Sequence, residues 1–264
     1  MDFLQVILLL ILGFFAGIIS VIAGVGGGVF FVTFITLLFL LPIDIAVDTS
    51  TFVILLSSCV GFITYLKQKR TTIKLSLIFA GFSILGSILC SLIFFFVQID
   101  STILKILFAS TLLIAGVNMI YKAIRTTKDL NNKDLTQKSF SLQDHDYKSN
   151  FRASIPLFIL AGFAANLLGI GGGIINTPVL NIILGYPIHN STAISTSIIF
   201  FTAIYNTIIK SILGQIDYLI GFLIAIGAIL GTIIGAKISK KMPRAYLQYF
   251  VAIVLIGLAI RMYF

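Results

Sequence analysis

The sequence contains no Glu and no Trp, and only 10% of its 264 residues are charged. A soluble domain carries about 25% charged residues. Here 59% of the residues are hydrophobic, and the mean hydropathy is +1.13. These shortages exclude an ordinary soluble domain and indicate an integral membrane protein that lies in a lipid bilayer.

Cysteine and histidine are also scarce, with two residues of each. Cys59 and Cys90 lie inside apolar runs without disulfide or metal-site spacing, so we interpret them as small packing residues. His145 and His189 are too few for a metal cluster. No nucleophile–base pair or phosphate-loop lysine is recognisable. The sequence therefore predicts neither an enzyme nor a cofactor or metal.

The net charge of +9 would suggest nucleic-acid binding in a soluble protein. In this chain the basic residues cluster in loops between apolar spans, as in the cytoplasmic loops of membrane proteins, so we expect no nucleic-acid partner. The first apolar stretch, residues 3–23, lacks the basic start of a signal peptide and runs on into a glycine loop. We therefore assign it to the fold.

Two G-x-G-G-G runs, at residues 24–28 and 169–173, interrupt apolar sequence. Each glycine costs about 1 kcal/mol relative to Ala in a helix, so both runs predict breaks. Broken backbone at membrane depth must be buried in protein or line a wet cavity. The helix that follows begins with free N–H groups and a partial positive charge, which glycine lets a ligand approach. The runs are thus a candidate anion site, with close helix packing as the alternative.

The chain is an internal repeat with a shift of 145 residues, which matches both glycine runs and aligns Pro42 with Pro187. The Ala-x-x-Thr-Ser patterns at 46–50 and 193–197 match at a shift of 147, which implies a small insertion. Repeats in polytopic membrane proteins favour a transporter. We predict the following division: residues 1–121 form the first membrane repeat, 122–153 a cytoplasmic linker and 154–264 the second membrane repeat.

Loop charges predict that the repeats are inverted. The basic loop follows the second span in the first half (67–74) but the third span in the second half (237–244). With the linker inside and both termini outside, every Lys and Arg lies in the cytoplasm except Lys105, Lys210 and Arg261. The predicted fold class is therefore an all-α polytopic protein of the cell membrane with two inverted-topology repeats.

In each repeat a glycine-tipped, re-entrant helix hairpin precedes three transmembrane helices. The limbs at 154–184 are about 11–15 residues, or roughly 16–22 Å, against about 30 Å for a crossing. In the first half, residues 3–10 lengthen the first limb, so that a full crossing there stays open. The two tips are expected to meet near the membrane midplane.

Candidate substrate-binding residues are those that present N–H groups, hydroxyls or amides at the two tips. They are Gly24, Gly26, Gly27, Gly28, Thr49, Ser50, Gly169, Gly171, Gly172, Gly173, Asn176, Thr177, Thr196 and Ser197. Alternatively, the hydroxyls bond a carbonyl of their own helix and only pack. Other glycines are expected to pack helices closely: Gly13, Gly17, Gly81, Gly86, Gly227, Gly231 and Gly235.

Ionisable residues within apolar spans are functional candidates by default. Asp48 and His189 are the candidates for ion coupling, although their positions near span ends, like that of Asp44, favour hydrated helix caps. Lys210 and Arg261 are expected to snorkel to the outer interface.

At these motifs the sequence resembles the sulfite exporter TauE/SafE family. The resembling motifs are residues 24–28, 169–178, the two Ala-x-x-Thr-Ser turns and 214–218. The first half departs from the pattern at Thr33, which replaces the proline found at Pro178, and at Asp48, where a small residue is usual. The resemblance implies secondary transport of small anions, notably sulfite and organosulfonates. We expect an exporter of such an oxyanion; a passive channel, a carrier of another solute or cation, and an assembly subunit are the alternatives.

Overall fold

A computed structural model of the chain describes residues 3–24, 26–96, 100–131, 150–213, 216–238 and 244–263. Several predictions from the sequence fall outside these residues. They concern Val25 in the first glycine run, most of the linker, the start of the 214–218 motif, and loop lysines Lys240 and Lys241.

The described residues are helical and contain no strand. The helices are α1 (Phe3–Ala23), α2 (Gly28–Phe39), α3 (Ile43–Lys67), α4 (Ile73–Phe96), α5 (Ser101–Asn131), α6 (Phe151–Leu168), α7 (Gly173–Pro178), a π-helical turn (Val179–Ile183), α8 (Ile188–Leu213), α9 (Tyr218–Ile238) and α10 (Arg244–Tyr263). Six of them, α1, α3, α4, α6, α8 and α9, are long and apolar enough to cross a membrane. The predicted class, an all-α polytopic membrane protein, is confirmed.

Both glycine runs break helices as predicted, between α1 and α2 and between α6 and α7. In the second half the limbs are unequal, while the re-entrant path of the hairpin stays a prediction. α6 has 18 residues, about 27 Å, and meets the length of a span, whereas the second limb runs only from Gly173 to Ile183. The first limb is longer because helix α6 begins at Phe151 rather than at Ser154. Helix α5 likewise extends to Asn131, into the stretch predicted as linker.

The chain folds into two compact units that cut across the sequence repeats. One contains α1–α4 and α6–α9, and the other contains α5 and α10. In the smaller unit, Gly116 of α5 faces Ile256 and Ala252 of α10. The candidate site lies in the larger unit, and each half contributes four helices to it.

Glycines set the closest helix contacts in the larger unit. A Cβ on Gly17 of α1 would collide with the Ala228 carbonyl of α9, and one on Gly162 of α6 would collide with the Ser83 carbonyl of α4. These two contacts are equivalent at the shift of 145. Close packing is thus confirmed for six of the seven glycines, the exception being Gly81, where a Cβ would meet no described atom within 4 Å.

The central spans α3 and α8 run antiparallel. Asp48, early in α3, contacts Lys210, late in α8. Gly61, late in α3, faces Thr196, early in α8. Because α3 and α8 are equivalent spans of the two halves, this direction is the one that inverted repeats require. The orientation of the halves in the membrane stays a prediction.

Candidate functional site

The two glycine loops have backbone conformations that glycine favours. Positive φ angles of 63–96° occur at Gly24, Gly26, Gly27, Gly169, Gly171 and Gly172. An L side chain rarely adopts this region, so these positions select glycine by conformation alone. Gly27 and Gly172 then serve as N-caps of α2 and α7 without a side chain to cap the first turn.

The loops touch each other. A Cβ on Gly26 would lie 3.0 Å from the Ile170 carbonyl oxygen, and one on Gly28 would collide with the Gly169 carbonyl oxygen. The prediction that the tips meet agrees with this contact, whereas their depth in the membrane is untested. Close packing and uncapped helix starts therefore occur at the same residues. The geometry fits both the packing interpretation and the anion-site interpretation of the glycine runs.

Each loop rests on the central span of the other half. The Ser50 hydroxyl on α3 donates to the Gly169 carbonyl at 2.9 Å, and the Ser195 hydroxyl on α8 donates to the Gly24 carbonyl at 3.1 Å. Thr177 of α7 also donates to Gly24, at 2.8 Å. Hydroxyl groups thus satisfy carbonyls that the broken helices leave without partners.

These contacts correct the predicted alignment of the second spans. Ser50 pairs with Ser195, not with Ser197, so the shift remains 145 and no insertion is needed. Ile54 and Ile199, also 145 apart, take equivalent places against Gly171 and Gly26. The two Ala-x-x-Thr-Ser patterns therefore do not mark structurally equivalent positions. Ser195 was not predicted from the sequence, because the second spans were aligned on this short motif rather than on the 145-residue shift of the whole repeat.

The structure places the remaining predicted hydroxyls elsewhere. Thr196 donates to the Thr192 carbonyl of its own helix at 2.9 Å. Ser197 contacts Thr71, in the loop between α3 and α4, at 3.2 Å. Thr49 accepts from the Asp217 backbone N–H at 3.0 Å. Of the four predicted second-span hydroxyls, only Ser50 contacts a glycine loop.

The two halves offer different side chains beside the loops. Asn176 of α7 is 1% exposed, and its Oδ1 has no hydrogen-bond partner among the described residues. Its equivalent in α2 is Phe31, fully buried. Pro178 ends the short α7 and a π-helical turn follows, whereas α2 runs on through Thr33. A buried polar atom without a partner costs about 1–3 kcal/mol, so Asn176 is a candidate ligand contact.

A buried ion pair joins the central spans, and it corrects two expectations. Lys210 Nζ lies 2.7 Å from Asp48 Oδ1, and the two residues are only 5% and 7% exposed. Lys210 therefore does not snorkel, and Asp48 is not a hydrated helix cap. Arg261, by contrast, is exposed. The sequence places Lys210 three residues before the end of an apolar span, which resembles a snorkelling position. It contains no local sign of a partner 162 positions away.

The ion pair is connected to the second glycine loop by hydrogen bonds. Lys210 donates to the Thr51 hydroxyl at 3.3 Å, and Thr51 donates to the Val47 carbonyl at 2.9 Å. The Ser50 hydroxyl lies 2.8 Å from that same carbonyl and donates to Gly169. Polar contacts thus run without interruption from Lys210 to the loop.

The first-turn residues Asp44 and His189 are equivalent and partly buried. Asp44 Oδ1 and His189 Nδ1 are buried atoms without a hydrogen-bond partner in the described parts of the chain. Unlike the Asp48–Lys210 pair, they have no counter-ion within salt-bridge distance among the described residues. A role for His189 in ion coupling stays a prediction.

Comparison with known proteins matches the chain to one family over nearly its whole length. The model of a family described as sulfite exporter TauE/SafE matches residues 9–262. A probable membrane transporter protein of Methanocaldococcus jannaschii, MJ0441, is 32% identical over 209 residues, which cover 75% of this chain and 69% of that protein.

Bacterial relatives agree with this match. The probable membrane transporter protein YunE of Bacillus subtilis is 26% identical over 214 residues, which cover 76% of this chain and 77% of the relative. A second Bacillus subtilis protein with the same description, YdhB, is 25% identical over 199 residues, or 75% of each chain. No solved structure matches the chain significantly.

Proposed function

Because this chain belongs to the sulfite exporter TauE/SafE family of membrane transporters, we propose that it is a secondary carrier that exports a small sulfur-containing oxyanion. The anion binds where the two glycine loops begin α2 and α7. Its membrane is the cell membrane, with residues 122–153 in the cytoplasm and both termini outside.

The observation that carries the proposal is the pairing of two uncapped helix starts. The first backbone bonds of α2 reach Gly27 from Phe30 and Phe31, so the N–H groups before them have no acceptor within the helix. The Gly172 carbonyl has the same role at α7, where Ile175 and Asn176 donate to it. Two helix starts at one place concentrate donors and partial positive charge, which stabilise an anion.

Among the described residues, the donors at the two helix starts are neutral backbone N–H groups and amides. The Asn176 amide, whose Oδ1 has no partner among the described residues, adds a donor on one side only when its Nδ2 is turned toward the anion. The anion thus meets a pseudo-symmetric site with a distinct orientation.

Access requires movement. In this conformation the loops pack against each other, and Gly27 and Gly172 have Ser20 and Ala161 within 3.0 Å of their Cβ positions. Rocking of one inverted repeat against the other would part the loops and open the site alternately to the two sides. For a carrier, this conformation therefore corresponds to a closed state.

The experiment is thermal unfolding of the purified protein in detergent against sodium salts at equal ionic strength. Sulfite, sulfate, thiosulfate, sulfoacetate, acetate and chloride form the panel. A ligand at 100 times its dissociation constant adds about 2.7 kcal/mol, which is measurable. A selective shift by one sulfur oxyanion supports the proposal, and stabilisation by a cation or an uncharged solute alone contradicts it.

The control must separate ligand binding from packing. Gly172→Leu collides with Ala161 and disturbs the fold as well as the site. Asn176→Leu is the sharper variant, since it removes a polar atom without a partner while keeping a similar volume. It should keep or raise the unfolding temperature without ligand and lose the anion-induced shift.

A passive channel is the second candidate, because neutral donors also suit conduction. Uptake into proteoliposomes separates the two. Saturation with counterflow indicates a carrier, whereas flux that rises linearly with concentration indicates a channel. Flux unchanged in a folded Asn176→Leu protein would favour a structural role for the loops.

A further inference from the structure

The Asp48–Lys210 pair is a second polar centre that the glycine-loop site does not explain. A buried ion pair in a membrane span is expensive, since desolvation costs several kcal/mol per ion and attraction only partly offsets it. Its equivalent positions at the shift of 145 are Ala193 and Tyr65. Ala193 and Tyr65 also belong to one cluster of buried residues. The fold itself therefore does not require charged side chains at these two positions.

We propose that Asp48 and Lys210 form a proton-linked subsite for a monovalent anion. When a proton from solution bonds to the Asp48 carboxylate, the Lys210 ammonium loses its counter-ion and takes the transported anion in its place. The inference rests on the proposed anion transport and specifies the charge class of the substrate. One proton moves with each monoanion, so the transport cycle carries no net charge, and the anion leaves the cell only down the combined gradient of anion and proton.

Charge balance favours this order. The pair is neutral as it stands, and adding an anion alone would leave one net negative charge in a buried place, which is costly. With Asp48 protonated, one ammonium and one monoanion restore neutrality. A dianion would keep an excess charge and be selected against. Organosulfonates and hydrogensulfite are monoanions of the required kind.

The position of Lys210 suits a ligand. Of its three N–H donors, one faces Asp48 at 2.7 Å and another faces the Thr51 hydroxyl at 3.3 Å. Asn206 lies one turn earlier on α8, on the same side of the helix. It is 2% exposed, and its Oδ1 has no partner within the described residues. When its amide is turned to present Nδ2, Asn206 can add a donor for an anion bound at Lys210.

The subsite and the glycine loop are joined by the Thr51, Val47 and Ser50 contacts. Loss of the Asp48 charge would free Lys210 to shift, and its bond to Thr51 would pass that shift to Val47 and Ser50, whose hydroxyl donates to the Gly169 carbonyl. Proton uptake therefore acts on the residues that hold the second glycine loop.

Few other titratable groups surround the pair. On α3, Asp44 lies one turn before Asp48. The Cys90 thiol of α4 lies within the electrostatic reach of Lys210. Tyr205 precedes Lys210 on α8, and Asp217 binds Thr49 through its backbone N–H and caps α9 through its carboxylate. Helices α2 and α7 have no titratable side chain.

The test measures anion affinity against pH by calorimetry on the purified protein in detergent. The probes are methanesulfonate, ethanesulfonate, thiosulfate and sulfate, chosen because their charge is constant between about pH 5.5 and about pH 8. For the wild type we expect the dissociation constant of a monoanion to rise with pH, by up to about tenfold per unit, as linkage to one proton requires. The dianions should bind at least about tenfold more weakly than the sulfonates.

Three variants complete the test. D48N should bind the monoanion with the low-pH affinity of the wild type at every pH. The matched control D44N should keep the wild-type pH dependence. The double variant Asp48→Asn with Lys210→Gln leaves no lone buried charge, so it should fold, and it should bind at least about tenfold more weakly at every pH.

The outcomes separate this inference from the proposed function. If the wild type binds an anion with no pH dependence, or if the double variant binds like the wild type, the proton-linked subsite is wrong and the anion carrier stands. If no anion of the panel binds at any pH, the proposed function itself fails. Should D48N not fold, the wild-type pH profile and the double variant still decide.

Discussion

The Ser50 hydroxyl of the first half donates to the Gly169 carbonyl of the second half at 2.9 Å. The reverse contact, from Ser195 to Gly24, has a distance of 3.1 Å. Each broken helix is therefore completed by a hydroxyl from the opposite half. A loop that depends on the other half for its hydrogen bonds cannot move without that half responding, which is the coupling that alternating access needs.

Removing these hydroxyls should destabilise the protein through the loops. We expect Ser50→Ala to cost about 1–3 kcal/mol, because the buried Gly169 carbonyl loses its donor. Ser195→Ala should cost less than Ser50→Ala, because Thr177 still donates to the Gly24 carbonyl. Ser197→Ala, whose hydroxyl contacts only Thr71 and its own helix, is the matched control and should cost less. Thermal unfolding in detergent measures the three. A loss of stability for Ser197→Ala equal to that for Ser50→Ala would contradict the alignment of the two halves at a shift of 145 residues.

Two glycines of α4 should differ sharply in their tolerance of alanine. Gly86→Ala places a Cβ against the Ile159 carbonyl, where backbone would have to move, and should cost about 1–3 kcal/mol. Gly81→Ala meets no described atom within 4 Å and should be neutral or stabilise by up to about 1 kcal/mol. Unfolding temperatures of the two variants test the packing of α4 on α6, and similar values would oppose it.

The ion pair should show a large non-additive effect on stability. Lys210→Met leaves Asp48 buried without its partner and should cost about 3–5 kcal/mol. Adding Asp48→Asn should recover most of that loss, since no lone charge remains. A double-mutant cycle of unfolding free energies gives the coupling. Strictly additive losses would show that the two side chains do not interact in the folded protein.

Membrane orientation can be tested by cysteine labelling. Single cysteines at positions 70 and 241 should react with an impermeant reagent from the same, cytoplasmic side, because the halves are predicted to be inverted. Cys59 and Cys90 are replaced by Ala in the parent protein to remove background labelling. Labelling from opposite sides would reject the inverted arrangement while leaving the family assignment intact.

The hydropathy pattern was sufficient to predict the helical class, the breaks at both glycine runs and most of the spans. These features are local, since apolar length and consecutive glycines act within one segment. Five close-packing glycines were also predictable because their four-residue spacing marks a helix face: Gly13 with Gly17, and Gly227, Gly231 and Gly235. Gly81 and Gly86 could not be told apart, because a single glycine does not reveal whether another helix lies opposite it.

The site was less predictable because its contacts join residues far apart in sequence. The pairing of Asp48 with Lys210 depends on how α3 and α8 cross, which no local pattern encodes. Ser195 was overlooked because a five-residue motif outweighed a register supported by both halves. Even in a repeat, short polar matches are weaker indicators than the spacing that the whole fold maintains.

Each glycine loop rests on a span of the other half, so neither half completes its own core. The halves behave like the subunits of an isologous dimer that share one chain. A chain of half this length that inserted in both orientations would make the same contacts with a second copy of itself. Within one chain the two copies are free to diverge, and a charge placed in one copy can find its counter-charge in the other. Asp48 and Lys210 are such a divergence, and they make a nearly symmetric molecule asymmetric.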